Sequence, residues 1–200
     1  FHSLPAKARI LLVRLRSMGD CLLLTSPIRA LKEEFPGFRI SVLVDQRFAS
    51  CFDGNPDISQ VIVVDNKYAA GARLLTRYFD VMINLHGGPT SLAYTLCGWG
   101  KRVGAEQFQY ARLYHGLYPP PEKTAHTVES TMAILRWLGV RAEQAPPLRY
   151  EVHEAEATRI RKTFEGRPYA VIHPAALMET KRWEAERFAE VARELTHQDL

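Results

Sequence analysis

The first stretch with chemical potential is Ser17-Met18-Gly19-Asp20, which follows the apolar run from Ala8 to Leu15. That run has the pattern of a buried strand, and ligands of parallel sheets bind beyond the carboxyl ends of the strands. Gly19 lets the backbone turn tightly or approach a ligand closely. The Asp20 carboxylate has two interpretations: a general base within reach of a hydroxyl, or a cap on the following helix.

The same loop excludes two common nucleotide sites. It matches neither GxGxxG nor GxxxxGK[ST], which counts against a nicotinamide dehydrogenase and against a P-loop kinase. A second loop, His86-Gly87-Gly88, follows another predicted strand, and its glycines either expose backbone N–H groups to a sugar or phosphate or simply make a turn. Arg16 and Arg102 are candidates for binding carboxylates or phosphates, although surface arginines are common.

Strands and helices alternate along most of the chain, which predicts parallel βαβ units in residues 1–145. The predicted strands are Ala8–Leu15, Arg39–Val44, Gln60–Val64 and Asp80–Leu85, with a possible short one at Arg102-Val103. The predicted helices are Cys21–Phe35, Gln46–Phe52, Lys67–Tyr78 and Thr124–Leu138, the first with a kink or a late start at Pro27.

A change of composition marks a domain boundary. Residues 146–152, with Pro146-Pro147, are the predicted linker. Residues 153–200 are predicted to hold a helix (His153–Phe164), a strand (Tyr169–His173) and a helix (Glu184–Leu195). They represent the start of a second α/β domain and cannot bury a core alone.

Composition narrows the function classes further. The 200 residues are 46% hydrophobic and 24% charged, as in a globular domain, and a net charge of +4 is too small to indicate nucleic acid. Three scattered cysteines without a CxxC pair argue against disulfides and zinc and favour the cytoplasm. The apolar runs are too short to span a membrane, and the first residues do not form a secretory signal.

Several motifs in order resemble the lipopolysaccharide heptosyltransferases, glycosyltransferase family 9. The most specific are RSMGD followed by TSP near the start, and KRW after a VIHP stretch near the end. The resemblance continues through ISVLVD, GNPDISQVIVVD, FDVMINLHGG, KRVGAEQF and HTVESTMAILRWLGV, and covers nearly the whole chain. At Asn84 the sequence departs from the family, which often has an acidic residue there.

The resemblance implies an α/β fold of GT-B type: a Rossmann-like parallel-sheet domain for the acceptor, then the incomplete start of a second Rossmann-like domain for the donor. It implies inverting transfer of a heptose from ADP-heptose to a hydroxyl of the lipopolysaccharide inner core. Asp20 would be the general base, and Lys181 would neutralise the donor pyrophosphate. These 200 residues alone are expected to show little or no transfer.

The remaining site residues divide between the two substrates. Those expected near the acceptor are Ser17, Gly19, Arg16, His86, Gly87 and Arg102, while His173 joins Lys181 near the donor. No metal or other cofactor is expected, since Lys181 and helix N-termini can hold the phosphates and there is no Asp-x-Asp pair.

The expected partners are a nucleotide-sugar donor and the lipopolysaccharide core acceptor, with peripheral contact to the inner membrane and no nucleic acid. Two alternatives stay open: a non-catalytic α/β module that binds an anionic sugar or nucleotide, or a GT-B transferase that uses another nucleotide sugar.

Overall fold

The computed structural model describes residues 1–122, 124–176 and 178–197. The chain divides into two compact units, Phe1–Glu151 and Val152–Leu200. The first unit contains the sheet and all of the buried core.

The sheet of the first unit has six parallel strands. They are β1 (Arg9–Val13), β2 (Arg39–Asp45), β3 (Gln60–Val64), β4 (Tyr78–Asn84), β5 (Trp99–Ala105) and β6 (Gly116–Tyr118). Their spatial order is β3-β2-β1-β4-β5-β6. This is the strand order of the Rossmann fold, which confirms the predicted Rossmann-like parallel sheet.

Helices cover both faces of this sheet. They are α1 (Met18–Glu34), α2 (Lys67–Leu75), α3 (Pro89–Cys97) and α4 (Thr127–Trp137), with a 3-10 helix at Gln46–Phe52. Successive side chains of β1 point to opposite faces of the sheet, and each face has its own hydrophobic core. Ile10 and Leu12 pack with α1 and α4, while Leu11 and Val13 belong to the core that includes residues of α2 and α3. A strand buried on both faces is therefore apolar throughout.

The first helix begins earlier than its proline suggests. Ser17 caps α1, and Asp20 turns back to accept the Ser17 backbone N–H. Pro27 lies buried in the helix interior rather than at its start, so the alternative of a late start is wrong. A single proline removes one backbone hydrogen bond, and the burial of eight α1 residues outweighs that loss.

Three elements of the first unit are absent from the sequence prediction. Helix α3 begins with Pro89 directly after Gly88, strand β6 has only three residues, and a 3-10 helix lies at Ala111–Leu113. The possible strand at Arg102-Val103 extends over the seven residues of β5. Both β5 and β6 contain glycine and polar residues, so their pattern lacks the continuous apolar run of the inner strands.

The end of the first unit is extended chain tied to the domain. The Arg149 guanidinium donates to the Asp57 carboxylate at 2.7 Å, and the Ser26 hydroxyl donates to the Pro146 carbonyl at 2.5 Å. These contacts hold part of the predicted linker against α1 and the loop before β3.

The second unit contains α5 (Glu154–Phe164), a 3-10 helix (Glu179–Lys181) and α6 (Ala185–His197). The strand predicted at Tyr169–His173 does not form; residues 167–176 are neither helix nor strand. A strand needs a neighbour to accept its backbone hydrogen bonds, and the described part of this unit offers no other strand.

Candidate functional site

The candidate site lies at the carboxyl edge of the sheet, where β1 and β4 end side by side. Val13 and Asn84 are register partners, and the Leu85 N–H donates to the Val13 carbonyl at 3.1 Å. The segments that follow the two strands, 14–20 and 85–88, are therefore neighbours. This edge brings together the predicted residues Arg16, Ser17, Gly19, Asp20, His86 and Gly87.

Asp20 is held from two sides. Its Oδ1 lies 3.1 Å from the Arg14 guanidinium, while its Oδ2 accepts the Ser17 backbone N–H and hydroxyl at 3.3 Å each. The Oδ2 contacts are long for hydrogen bonds, so this oxygen is only weakly engaged. The carboxylate is about one-third exposed and accessible to a substrate hydroxyl.

Arg14 connects the two strand ends. Its guanidinium donates to the Leu85 carbonyl at 2.5 Å and pairs with Asp20. Because its side chain is mostly buried, these two contacts fix where the Asp20 carboxylate lies relative to the loop after β4.

The side chain of Asn84 holds the loop after β4 in place by hydrogen bonds. Its Oδ1 accepts the N–H groups of His86 (3.1 Å) and Gly87 (3.3 Å). Its Nδ2 donates to the Ser91 hydroxyl at 3.0 Å and the Tyr114 hydroxyl at 2.6 Å. The side chain is buried and both its amide atoms are satisfied, so it joins the loop, α3 and the segment before β6 in one network.

His86 is half-buried next to two arginines. Burial, together with the positive charges of Arg14 and Arg16, lowers the pKa of His86 below its ordinary value of 6.5. The imidazole is therefore neutral near neutral pH and can donate or accept a hydrogen bond with a sugar hydroxyl.

Two open cavities adjoin this loop. One, of about 310 Å³, is lined by residues that include Arg14, His86, Gln107 and Thr127. The other, of about 270 Å³, lies at the start of α3 and is lined partly by Arg16, Asp45, Arg47, Gly88 and Thr90. The lining combines hydroxyls, amides and cations, which suits a polyhydroxylated anionic ligand.

The second cavity is positively charged overall. Arg47 donates to both Asp45 oxygens at 2.9 and 3.0 Å, and these hydrogen bonds lower the pKa of Asp45 below its ordinary value. This pair is neutral as a unit, so Arg16 supplies the excess charge. Gly87 and Gly88 have positive φ values of 63° and 125°, a conformation that favours glycine. A Cβ at either position would meet no neighbouring atom, so the preference for glycine comes from the backbone conformation alone.

Arg102 is placed away from these residues. It lies within β5 opposite Met82, and its guanidinium donates to the Leu113 carbonyl at 3.3 Å. It lines a different cavity together with Phe1 and His115. Its predicted role in acceptor binding gains no support from this position.

The predicted donor residues lie in the second unit. Lys181 ends the 3-10 helix with its side chain exposed, and His173 is exposed in the extended segment before it. Trp183 packs edge-on against Phe188 of α6, with ring centroids 5.0 Å apart, which anchors the chain just after Lys181.

Arg14 and Asn84 have larger roles in the structure than the sequence prediction gives them. The predicted strand Ala8–Leu15 includes Arg14, whereas β1 ends at Val13 and Arg14 contacts Asp20 in the loop that follows. Asn84 replaces an acidic residue of the family pattern, and its amide can donate and accept at once, which a carboxylate cannot.

Two further searches cover only the described ranges. Within them no group of three or more His, Cys, Asp or Glu residues is placed to hold a metal ion. Within the same ranges, no helix combines the length and hydropathy needed to cross a membrane.

Comparison with known proteins gives concordant results. The model of "Glycosyltransferase family 9 (heptosyltransferase)" matches residues 68–200. Lipopolysaccharide heptosyltransferase 3 of Escherichia coli is 25% identical over 197 residues, covering 88% of this chain and 57% of that protein. The chain thus spans little more than half the length of this curated relative.

Solved structures share the fold. A family 9 glycosyl transferase from Veillonella parvula superposes with a TM-score of 0.82 at 22% identity, over 96% of this chain and 60% of that one. Heptosyltransferase WaaC of E. coli, solved with ADP-2-deoxy-2-fluoro heptose, gives a TM-score of 0.73 at 22% identity, over 96% of this chain and 67% of that one. The likeness confirms the predicted GT-B type of fold.

Proposed function

The chain belongs to glycosyltransferase family 9, as its motifs predict, and from this premise we propose that it acts in the inverting transfer of a heptose. The donor is ADP-heptose and the acceptor is a hydroxyl of the lipopolysaccharide inner core. The observation that carries the proposal is the position of Asp20 at the carboxyl edge of the sheet, with one oxygen fixed by Arg14 and the other weakly engaged.

In the proposed reaction Asp20 acts as the general base. As the acceptor oxygen attacks the anomeric carbon, its proton passes to Oδ2 of Asp20. The bond from the anomeric carbon to the diphosphate oxygen breaks on the opposite side, so the configuration inverts and ADP leaves. The proton on Asp20 then returns to water. A positioned base of this kind contributes roughly 10²–10⁴-fold to the rate.

The acceptor is proposed to bind at the loop after β4. A neutral His86 offers a hydrogen bond to a sugar hydroxyl, Gly87 lines both cavities, and Arg16 offers a cation to an acidic sugar or a phosphate. Ser17 and Gly19 shape the approach to Asp20. The two cavities beside His86 give room for sugars on either side of the reacting hydroxyl.

The donor diphosphate is proposed to bind Lys181, with His173 nearby. The negative charge of a leaving diphosphate rises in the transition state, so a cation at that point stabilises the transition state more than the ground state. A lysine together with helix N-termini supplies this charge without a metal ion.

A transfer assay with the native protein tests the proposal. ADP-heptose and a heptose-free inner-core acceptor should yield ADP and one glycosidic product of inverted anomeric configuration, in equal amounts. Transfer from a different nucleotide sugar alone would contradict the donor assignment. Calorimetric binding of both substrates without transfer would instead favour the non-catalytic binding module.

A further inference from the structure

The opposite edge of the sheet, where the strands begin, contains a second polar feature. An open cavity of about 310 Å³ lies there, far from the loops that follow β1 and β4, and its lining includes three arginines: Arg9, Arg39 and Arg77. They come from the starts of β1 and β2 and from the residue before β4.

Two of these arginines form a like-charged pair across neighbouring strands. Arg9 and Arg39 are direct register partners in the parallel β1–β2 pair, and both are exposed. Two like charges at neighbouring positions repel each other. An anion bound between the two guanidinium groups would offset this repulsion.

The protein supplies no such anion in the part of the chain that the structure describes. None of the three guanidinium groups has a carboxylate within ion-pair distance there. Arg77 donates only to the neutral side-chain carbonyl of Gln60, and Asp80 accepts the Arg9 backbone N–H at 2.7 Å. By contrast, Arg73 and Arg149 are each paired with an aspartate at 2.7–2.9 Å.

The remaining lining is suited to an oxygen-rich ligand. Ser41 and Ser59 line the cavity, and their hydroxyls form no hydrogen bond with another residue of the described chain. Tyr78, about half exposed, adds an apolar rim. A tetrahedral dianion can accept from several guanidinium groups and hydroxyls at once, and arginine matches phosphate geometry in pairs of parallel hydrogen bonds.

We propose that this cavity, formed by Arg9, Arg39, Arg77 and Ser41, is a phosphate-binding site separate from the candidate active site. Its ligand is a phosphate group, carried by a free phosphate compound or by the headgroup of an anionic phospholipid. The site is independent of the glycosyl-transfer chemistry, so it stands or falls separately from the proposed function.

Titration with inorganic phosphate and pyrophosphate, followed by amide NMR shifts, tests the site in the intact protein. The amides of Ser41, Ser59 and Phe79 should shift with a single affinity. Arg39→Gln and Arg9→Gln should each weaken that affinity about tenfold or more, because each removes charge-assisted hydrogen bonds. Arg112→Gln, which removes an exposed arginine elsewhere, should change it less than about twofold.

Thermal unfolding with and without phosphate tests the site even if phosphate binds weakly. Without phosphate, Arg39→Gln should unfold at the same or a higher temperature than the wild type, since it removes like-charge repulsion. Added phosphate should raise the wild-type midpoint and raise the Arg39→Gln midpoint clearly less at the same concentration. Absence of shifts at Ser41 and Ser59, or equal affinities in Arg39→Gln and Arg112→Gln, would overturn the proposal.

Vesicles separate the two sources of the phosphate. Binding to phosphatidylglycerol vesicles but not to phosphatidylcholine vesicles, lost in Arg39→Gln and kept in Arg112→Gln, identifies a lipid headgroup. Phosphate titration without vesicle binding identifies a free phosphate compound.

Discussion

At the scale of single residues, Asp20 lies where both of its predicted roles, helix cap and proposed general base, are possible. It closes the first turn of α1 through Ser17 and also faces the carboxyl edge of the sheet, held there by Arg14. The capping contacts and the proposed proton transfer both use Oδ2, and the long capping distances of 3.3 Å leave this oxygen able to take a proton. His86, the nearest histidine along this edge, contributes a group whose charge depends on pH.

The lowered pKa of His86 predicts a pH effect on stability. The unfolded chain binds a proton near pH 6.5, whereas the folded chain resists protonation until lower pH. The unfolded state thus binds more protons in that window, and the free energy of unfolding falls as the pH drops through 6.5. Urea denaturation at pH 7.5 and 5.5 should show a smaller loss for His86→Gln than for the wild type. Equal losses in the two proteins would count against the lowered pKa.

At the scale of elements, the loop after β4 owes its conformation to Asn84. Asn84→Ala should cost about 2–3 kcal/mol, because the hydroxyls of Ser91 and Tyr114 and two backbone N–H groups lose a buried partner. Asn66→Ala, which removes the exposed cap of α2, should cost about 1 kcal/mol. Urea denaturation of the two variants measures the difference.

The same two variants test whether Asn84 positions the loop after β4 for the acceptor or only stabilises the fold. Asn84→Ala should raise KM for the acceptor and speed amide exchange at His86 and Gly87, while Asn66→Ala leaves both unchanged. If the two variants behave alike in acceptor KM, Asn84 serves only to stabilise the fold.

The central elements were predictable from sequence because their patterns are strong. β1 to β4 are short, largely apolar runs, and the bounds of β3, Gln60–Val64, agree with the prediction. Helix α3 is absent from the prediction although Pro89 at its first turn is a helix-start signal, since the two glycines before it were interpreted as a ligand-binding loop or a turn. β5 depends on pairing with β4, and β6 depends on pairing with β5, which are tertiary effects that local composition does not show.

The strand predicted at Tyr169–His173 does not form for a related reason. A sequence that favours a strand forms one only when a neighbouring strand can pair with it. The same distinction between local pattern and tertiary contact applies to the candidate site. Asp20, His86 and Gly87 could be predicted to lie at this edge because they follow recognisable strands, whereas the contacts of Arg14 and Asn84 across the sheet edge are visible only in the structure. Arg102 stays a prediction: it lies apart from these residues, and its guanidinium donates to the Leu113 carbonyl.

At the scale of the whole molecule, the chain contains a six-stranded unit and a second, mostly exposed helical unit. The proposed reaction assigns the acceptor to the first and the donor diphosphate to the second. The two assignments can be tested separately, because binding of each substrate is measurable without turnover.

Lys181→Gln should weaken ADP binding to the native protein about tenfold, because it removes a charge-assisted contact with the diphosphate. Lys162→Gln removes an equally exposed lysine from α5 of the same unit and should leave the affinity within about twofold. Calorimetry with ADP gives both values, and an unchanged affinity in Lys181→Gln would remove this residue from the donor site.

The role of Asp20 is tested most directly by the rate of heptose transfer in Asp20→Asn, with Asp53→Asn as a charge-matched control on an exposed loop. Asparagine preserves the size of the side chain and its ability to accept the Ser17 N–H, but it cannot take a proton from the acceptor. The account predicts that kcat falls about 10²–10⁴-fold in Asp20→Asn, with donor affinity unchanged and Asp53→Asn fully active. An Asp20→Asn enzyme that retains the wild-type kcat would contradict the account and leave Asp20 as a helix cap alone.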